Sequence, residues 1–374
     1  MQHIVLLGAT GSIGASTLDV MARNPDAYQL DGFVFSKNVA RAIQICQTFK
    51  PRWAYSPDLD ARAQLEALGI VEVIDVTEVG ERVSRSHVDR VVAAITGFAG
   101  LNTLIDAIKA GKTILLANKE SLVSAGALVM PLVKRYGATL LPIDSEHNAL
   151  FQCADGQRGI ESMSLTASGG ALRDWPLAEI PNATVKQALA HPNWSMGAKV
   201  TIDSATMMNK GLELVEAKWL FNLAPDQLDV LIHPQSVIHS LVNFVDGTSL
   251  AQLGHPDMRV PIAHALAYPE RVASGVARFD LTSGSLEFRE MDHLRYPIMS
   301  LAWAALASNG TLPTVMNAAN EVAVDAFIAG RIRFGDICRV VEQTMGSHQD
   351  IAIESLDHIN EVDQWARGQA QLEI

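Results

Sequence analysis

The chain has 374 residues, 48% of them hydrophobic, with 29 Lys and Arg against 41 Asp and Glu for a formal charge of −12. That length suits roughly two to three domains of about 100–200 residues, and the acidic balance disfavours a nucleic-acid or anionic-membrane surface, so an anionic small substrate would need a locally positive pocket. Cys46, Cys153 and Cys338 are too few and too scattered for a disulfide framework or a cysteine metal site, and with neither a basic leader nor an uninterrupted apolar run of membrane-spanning length the expectation is a soluble, cytoplasmic chain.

His3 to Leu7 is a short apolar run, and Ser12 to Arg23 has helical spacing. Between them, Gly8-Ala-Thr-Gly11-Ser-Ile-Gly14 turns strand into helix. Glycines there let the backbone approach a pyrophosphate, and the exposed N–H groups of a helix start favour its charge. The next strand, Gln29 to Phe35, ends in Ser36-Lys37-Asn38 with no acid for ribose hydroxyls, which favours NADP over NAD. Asn38 also suits a helix cap, and the two readings are compatible.

Strand and helix keep alternating through residues 52–55, 61–68, 72–74, 88–94, 101–110 and 113–116. The rhythm predicts a mostly parallel sheet with helices on both faces. Ala117-Asn118-Lys119-Glu120-Ser121 follows at the ligand-facing edge. Lys119 could reach a substrate oxygen there, but a helix from Glu120 or Ser121 to Tyr136 with Lys119 merely solvated is the plainer reading. Ala138 to Pro142 is a further strand, after which Asp144 and Glu146 would point the same way if the backbone stays extended. Two such carboxylates suit a divalent cation; the alternative is that Asp144 or Ser145 caps a helix beginning at Glu146.

Beyond Leu150, the strand Glu161 to Ala167 leads into Ser168-Gly169-Gly170, whose N–H groups can wrap an anion. His191-Pro-Asn-Trp194-Ser-Met-Gly197 reads as a lid over a site, with a buried Trp corner as its rival. A strand, Lys199 to Asp203, comes next, then a helix from Ser204 or Thr206 to about Leu223 that carries Asn209 and Glu213 on one face. Ser204, Asn209 and Lys210 offer a hydroxyl, an amide and an ammonium near a helix start, which suits a phosphate monoester. Glu213 could complete the cation site, and three carboxylates without His or Cys select Mg²⁺ or Mn²⁺ over zinc.

Residues 228–232, 237–244 and 249–253 are expected strands. His233 and His239 would face one side of that sheet, where they read as core or hydrogen-bonded histidines rather than metal ligands. Residues 258–268 are helical, Pro269 to about Arg295 is an aperiodic linker, and residues 297–308, 313–329, 335–346 and 354–370 form a helical bundle. The fold class is α/β: a Rossmann-like doubly wound parallel sheet over 1–144, a central α+β catalytic domain over 145–268, a linker over 269–295 and a helical domain over 296–374.

With these motifs assembled, and with His233-Pro-Gln-Ser-Val-Ile-His239 beside them, the chain closely resembles the 1-deoxy-D-xylulose 5-phosphate reductoisomerase family. The resemblance runs in order from the first glycine turn to the C-terminal bundle. It implies that Thr10, Gly11, Ser12, Ile13, Ser36, Lys37, Asn38, Asn118, Glu120 and Gly197 bind or adjoin NADPH. It implies Asp144, Glu146 and Glu213 as ligands of Mg²⁺ or Mn²⁺. Lys119, Ser145, Glu146, Ser168, His191, Ser204, Asn209, Lys210 and Glu213 would bind a small phosphorylated ketose, with Lys119 and Glu146 as proton-transfer candidates and Asp144 and Glu213 acting through the metal. Trp194 and Met196 would belong to a closing flap, and a homodimer is implied. Ser36 departs from the family's frequent Gly.

Three rivals make different demands. An aspartate-semialdehyde-type dehydrogenase needs a nucleophilic Cys, and Cys153 lies in no supporting motif. A short-chain reductase needs Tyr-x-x-x-Lys, which none of the five tyrosines supplies. A non-enzymatic NADP-binding regulator would bind nucleotide without metal-dependent turnover.

Overall fold

Apolar runs too short for helices, separated by amphipathic segments, build the first sheet of the computed structural model, which describes every residue except Thr96, Phe98, Ala99, Ser195 and Ser283. Ser195 of the expected lid and Ser283 of the expected linker therefore lie outside the described residues. The chain divides into two units. One comprises Met1–Ser121, Val129–Asn148 and Asp257–Ala277; the other comprises Leu122–Leu128, Ala149–Pro256 and Arg278–Ile374.

In the first unit, strands β1 (Gln2–Leu7), β2 (Tyr28–Val34), β3 (Trp53–Tyr55), β4 (Glu72–Val73), β5 (Arg90–Ala93), β6 (Thr113–Leu116) and β7 (Thr139–Pro142) line up in the order β4-β3-β2-β1-β5-β6-β7. Every neighbouring pair is parallel. Ile4 to Leu7, Val91, Val92 and Ile114 to Leu116 are all buried, as strands covered on both faces must be. The cover comes from α1 (Ser12–Arg23), α2 (Val39–Phe49), α3 (Leu59–Glu66), α4 (Val76–Ser84), α5 (Leu101–Lys109) and α6 (Lys119–Tyr136). Helix α4 was not foreseen, although Asp75 and Glu78 form its capping box. Strand order reverses between β1 and β5, so the carboxyl ends of these two strands flank the crevice where such sheets take ligands.

The second unit holds a four-stranded sheet in the order β11-β10-β8-β9, made of β8 (Ile160–Ala167), β9 (Leu228–Ile232), β10 (Ile238–Phe244) and β11 (Ser249–Leu253). Only the β8–β9 pair is parallel. Helices α7 (Ser145–Ala154), α8 (Val185–Ala188), α9 (Ala198–Thr206) and α10 (Met208–Phe221) precede α11 (Arg259–Ala267), which belongs to the first unit, where Arg90 donates to the Ala265 and Tyr268 carbonyls at 2.9 and 2.7 Å. The bundle is α12 (Ile298–Ala307), α13 (Leu312–Ile328), α14 (Asp336–Gly346) and α15 (Leu356–Leu372), with α13 buried on nearly every side.

Three expectations are corrected. Lys199 to Asp203 is helical, part of α9, because Ile202 and Ala205 are buried at helical spacing and Lys199 pairs with Asp203 one turn on at 2.9 Å; Val200 and Ile202 only imitate strand alternation. The helix expected to begin at Ser204 or Thr206 is instead two helices, broken at Met207, whose φ is 72°. And α7 begins at Ser145, with the Asn148 N–H bonded to the Asp144 carbonyl at 2.8 Å, so Asp144 and Glu146 are not neighbours on an extended strand.

Candidate active site

The glycine turn in the first unit is shaped for close backbone approach. Gly8 has a φ of +90°, and a Cβ there would sit 2.3 Å from the Ala94 carbonyl oxygen, while one on Gly14 would meet the Gly8 and Ala9 carbonyl oxygens at 2.5 Å. Helix α1 starts from Gly11 with no side-chain cap and no acid in its first turn, which leaves its N-terminal dipole open to an anion beside Thr10, Gly11, Ser12 and Ile13. At the end of β2, Ser36, Lys37 and Asn38 are exposed; Asn38 caps α2 by accepting from the Arg41 N–H at 3.0 Å, and Lys37 lies 3.9 Å from Asp58. A pocket at the ends of β1 and β5 is lined by Leu7, Ala93, Ile95, Gly100, Asn118 and Ser121. Asn118 donates to the Gly97 carbonyl at 2.7 Å, but its Oδ1 is buried without a hydrogen-bond partner among the described residues. These features fit a dinucleotide: room for a pyrophosphate, a cation for a 2′-phosphate, and an unused acceptor for a polar group.

Lys119 opens α6 and Asp144 follows β7. Their side chains form an ion pair at 2.6 Å, and His147 Nδ1 meets the other Asp144 oxygen at 3.1 Å. Burial works to raise the Asp144 pKa, but the Lys119 ammonium and His147 outweigh it and hold the carboxyl well below its ordinary value. Lys119 is thus no solvated surface group, being only 9% exposed. Ser145 donates to Glu146 at 2.5 Å, and Glu120 lies in the first turn of α6.

In the second unit, Ser168 follows β8, with its Oγ 2.9 Å from His191 Nε2. His191 Nδ1 accepts from the N–H groups of Asn193 and Trp194 at 3.1 and 3.0 Å, so Nε2 carries the ring proton and donates to Ser168. Burial, then the Arg173 charge, depresses the His191 pKa to about 4. The Gly170 N–H also donates to Ser168 Oγ, at 3.1 Å, and a hydroxyl that receives twice keeps its own proton for a third partner. Asn193 ties the expected lid to the loop after β9 through the Pro234 carbonyl at 2.6 Å, and the half-buried Trp194 meets His239 edge-on at 6.0 Å.

Ser204 stands in the last turn of α9, and Gly197 is the cap residue at its start. Asn209 and Lys210 open α10, where Lys210 Nζ reaches Glu213 Oε2 at 2.5 Å and Asn209 donates to Oε1. Glu213 has no exposed surface. His233 and His239 are not a strand pair, since His233 lies beyond β9. His233 Nδ1 donates to the Glu287 carbonyl at 2.7 Å and its Nε2 accepts from Val237 N–H, while His239 bonds to the Gly254 carbonyl at 3.2 Å. Their core reading accounts for both.

Sequence reasoning passed over His147, although its offset of three from Asp144 is that of neighbours on a helix face. It also passed over Asp203, buried between Lys199 and the Asn320 amide at 2.8 Å, because that partner lies on α13 and no local pattern announces it.

Comparison with known proteins gives three consecutive family matches. The model described as 1-deoxy-D-xylulose 5-phosphate reductoisomerase covers residues 4–126, that of its C-terminal domain covers 140–221, and that of the DXP reductoisomerase C-terminal domain covers 253–369. A curated 1-deoxy-D-xylulose 5-phosphate reductoisomerase from Ectopseudomonas mendocina (strain ymp) is 51% identical over 384 residues, spanning 99% of this chain and 98% of that protein. A crystal structure of DOX-P reductoisomerase in complex with NADPH, fosmidomycin and magnesium matches with a TM-score of 0.93 at 45% identity, over 100% of this chain and 98% of that one. The Zymomonas mobilis enzyme in complex with NADPH matches with a TM-score of 0.93 at 43% identity, over 100% and 99% of the two chains.

Proposed function

Because the chain belongs to the 1-deoxy-D-xylulose 5-phosphate reductoisomerase family, we propose that the residues described above divide that reaction's work among them. The enzyme is an NADPH- and divalent-metal-dependent oxidoreductase that rearranges and reduces 1-deoxy-D-xylulose 5-phosphate to 2-C-methyl-D-erythritol 4-phosphate, in non-mevalonate isoprenoid precursor synthesis. When bound, NADPH supplies the hydride and the cation polarises the substrate carbonyl and a neighbouring oxygen.

The residue roles follow from what each group offers. Asp144, Glu146 and Glu213 hold the cation, Mg²⁺ or Mn²⁺, through an all-oxygen donor set. What carries this assignment is that two of the acids are each charge-paired with a lysine, Asp144 with Lys119 and Glu213 with Lys210, and that the Lys119 charge helps hold the Asp144 carboxyl well below its ordinary value. Lys119 and Glu146 move protons to and from the rearranging substrate. Ser168, His191, Ser204, Asn209 and Lys210 bind the phosphate and Ser145 a substrate oxygen. The Ser168 hydroxyl gives its proton to a phosphate oxygen, while the depressed His191 pKa keeps that ring neutral. Thr10, Gly11, Ser12 and Ile13 take the pyrophosphate; Ser36, Lys37 and Asn38 the 2′-phosphate; Asn118, Glu120 and Gly197 the nicotinamide end. Trp194 and Met196 close over the substrate and exclude water. Residues 1–144 form the nucleotide domain, 145–268 the catalytic domain except for α11, which packs with the first unit, 269–295 a linker and 296–374 the helical domain.

The enzyme acts in the cytoplasm as a homodimer. Support for a second copy comes from edge strand β11, which exposes Leu250 and Leu253, with Val245 73% exposed beside it; sedimentation of a monomer at micromolar concentration would remove that element. No helix among the described residues is long and apolar enough to cross a membrane. The direct test of activity is NADPH oxidation followed by its absorbance: the signal should fall only when 1-deoxy-D-xylulose 5-phosphate and a divalent cation are both present. Turnover that survives EDTA would contradict the metal-dependent reading.

A further inference from the structure

The stretch from Arg278 to Tyr296 contains no helix and a single isolated bridge, Ile232 to Arg289, among the described residues. It nonetheless fastens the segment after β8 at several points. The Tyr296 hydroxyl donates to the Gly169 carbonyl at 2.9 Å. Arg295 donates to the Trp175 and Leu172 carbonyls at 2.7 and 3.2 Å, and Arg289 pairs with Asp174 at 2.8 Å. Asp174 in turn holds Arg173 at 2.9 Å, and Arg173 Nη1 donates back to the Ser168 carbonyl at 2.7 Å.

Two consecutive carbonyls, those of Ser168 and Gly169, are therefore each held by a side-chain donor, Arg173 and Tyr296 respectively. In a trans peptide the N–H points opposite to the C=O. Fixing these carbonyls fixes the directions of the Gly169 and Gly170 N–H groups, and with the latter the Ser168 hydroxyl it donates to at 3.1 Å. Gly169 and Gly170 have φ of +80° and +71°, a region open to several peptide orientations in glycine. Without outside donors the loop would sample them. Tyr296 is 3% exposed, and burial pushes its pKa up to about 12, so it remains a proton donor at any working pH.

We propose that Tyr296 and Arg173 are positioning residues for the substrate phosphate: they grip the Ser168-Gly169-Gly170 loop by its carbonyls and so pre-set its donors toward the anion. The proposal rests on reading that loop as part of the phosphate site. Preorganised donors bind an anion without a reorganisation cost, so loosening them weakens phosphate binding and leaves the cofactor untouched.

The experiment compares Tyr296→Phe, Arg173→Met, Arg173→Lys and Ser168→Ala in the full-length enzyme with NADPH and Mg²⁺. Measured quantities are KM and kcat for 1-deoxy-D-xylulose 5-phosphate, the inhibition constant of inorganic phosphate, NADPH affinity by fluorescence, and Tm. Tyr296→Phe should raise KM about five-fold, the loss of one hydrogen bond, with kcat within about two-fold and NADPH affinity unchanged. Phosphate inhibition should weaken in parallel. Arg173→Met should raise KM on the order of ten-fold and Arg173→Lys should recover part of that loss. An unchanged KM in Tyr296→Phe, or a fall in kcat and Tm without a rise in KM, overturns the proposal while leaving the loop's role intact. An unchanged KM in Ser168→Ala overturns the loop's role itself. If a substitution at Arg173 prevents folding, the outcome at Tyr296, a near-isosteric change, decides.

Discussion

Glu213 shows how much a single residue's setting decides. It is fully buried, yet Lys210 and Asn209 supply one partner to each of its oxygens, so its polar atoms are not buried without compensation. Glu213→Gln keeps the shape and removes the charge; it should abolish turnover while NADPH affinity, assigned mainly to groups of the first unit, stays nearly intact in fluorescence titration. Equal loss of both would count against the assignment. Lys210→Ala should raise KM for the phosphorylated substrate roughly 10²-fold, about 3 kcal/mol for a charge-assisted contact, and an unchanged KM would remove Lys210 from the phosphate site. Asn209, Lys210 and Glu213 were legible because their spacing of three and four falls within one helical face. From its own segment Lys119 read most plainly as solvated, because its partner Asp144 comes later, after β7, and no local pattern reports that ion pair.

At the level of elements, the parallel alternation up to β7 was readable because the central strands β1, β5 and β6 bury Ile4 to Leu7, Val91 to Ala93 and Ile114 to Leu116 and so appear as short apolar runs. The failures fall where period and polarity conflict. Lys199 to Asp203 alternates like a strand, but its ion pair and its buried Ile202 and Ala205 follow helical spacing. The break at Met207 has no Gly or Pro to announce it; a non-glycine residue at φ 72° is held there by its buried surroundings. That break matters because it gives Asn209 and Lys210 a helix start of their own. The glycine turn makes the opposite case, being plain from sequence and tightly specified in space. Gly14→Ala would place a methyl 2.5 Å from two carbonyl oxygens and push α1 away from its loop. NADPH affinity should then fall at least about ten-fold with Tm only modestly lower; wild-type affinity would show that α1 does not set the pyrophosphate site.

For the molecule as a whole, buried neutral histidines set an acid limit. His191 and His239 each have a pKa lowered from 6.5 to about 4, in both cases chiefly by burial. Between about pH 4 and 6.5 the unfolded chain therefore binds protons that the folded chain refuses, so stability falls as pH drops through that window and these groups add no slope above it. Thermal unfolding should show Tm declining from pH 7 to pH 5, less steeply in His239→Gln; a Tm that rises on acidification would contradict the buried, neutral state. The net charge of −12 likewise makes local cations essential, since a phosphorylated substrate approaches an acidic protein; in the proposed assignment Lys119, Lys210 and loop donors hold it rather than the overall field.

The central claim is that Asp144, Glu146 and Glu213 share one divalent cation, and calorimetric titration with Mn²⁺ tests it without relying on turnover. Wild type should bind one equivalent, and Asp144→Asn, Glu146→Gln and Glu213→Gln should each weaken that binding by at least about 30-fold with NADPH affinity preserved. Wild-type Mn²⁺ affinity in any of the three would exclude that side chain from the metal site and contradict the account.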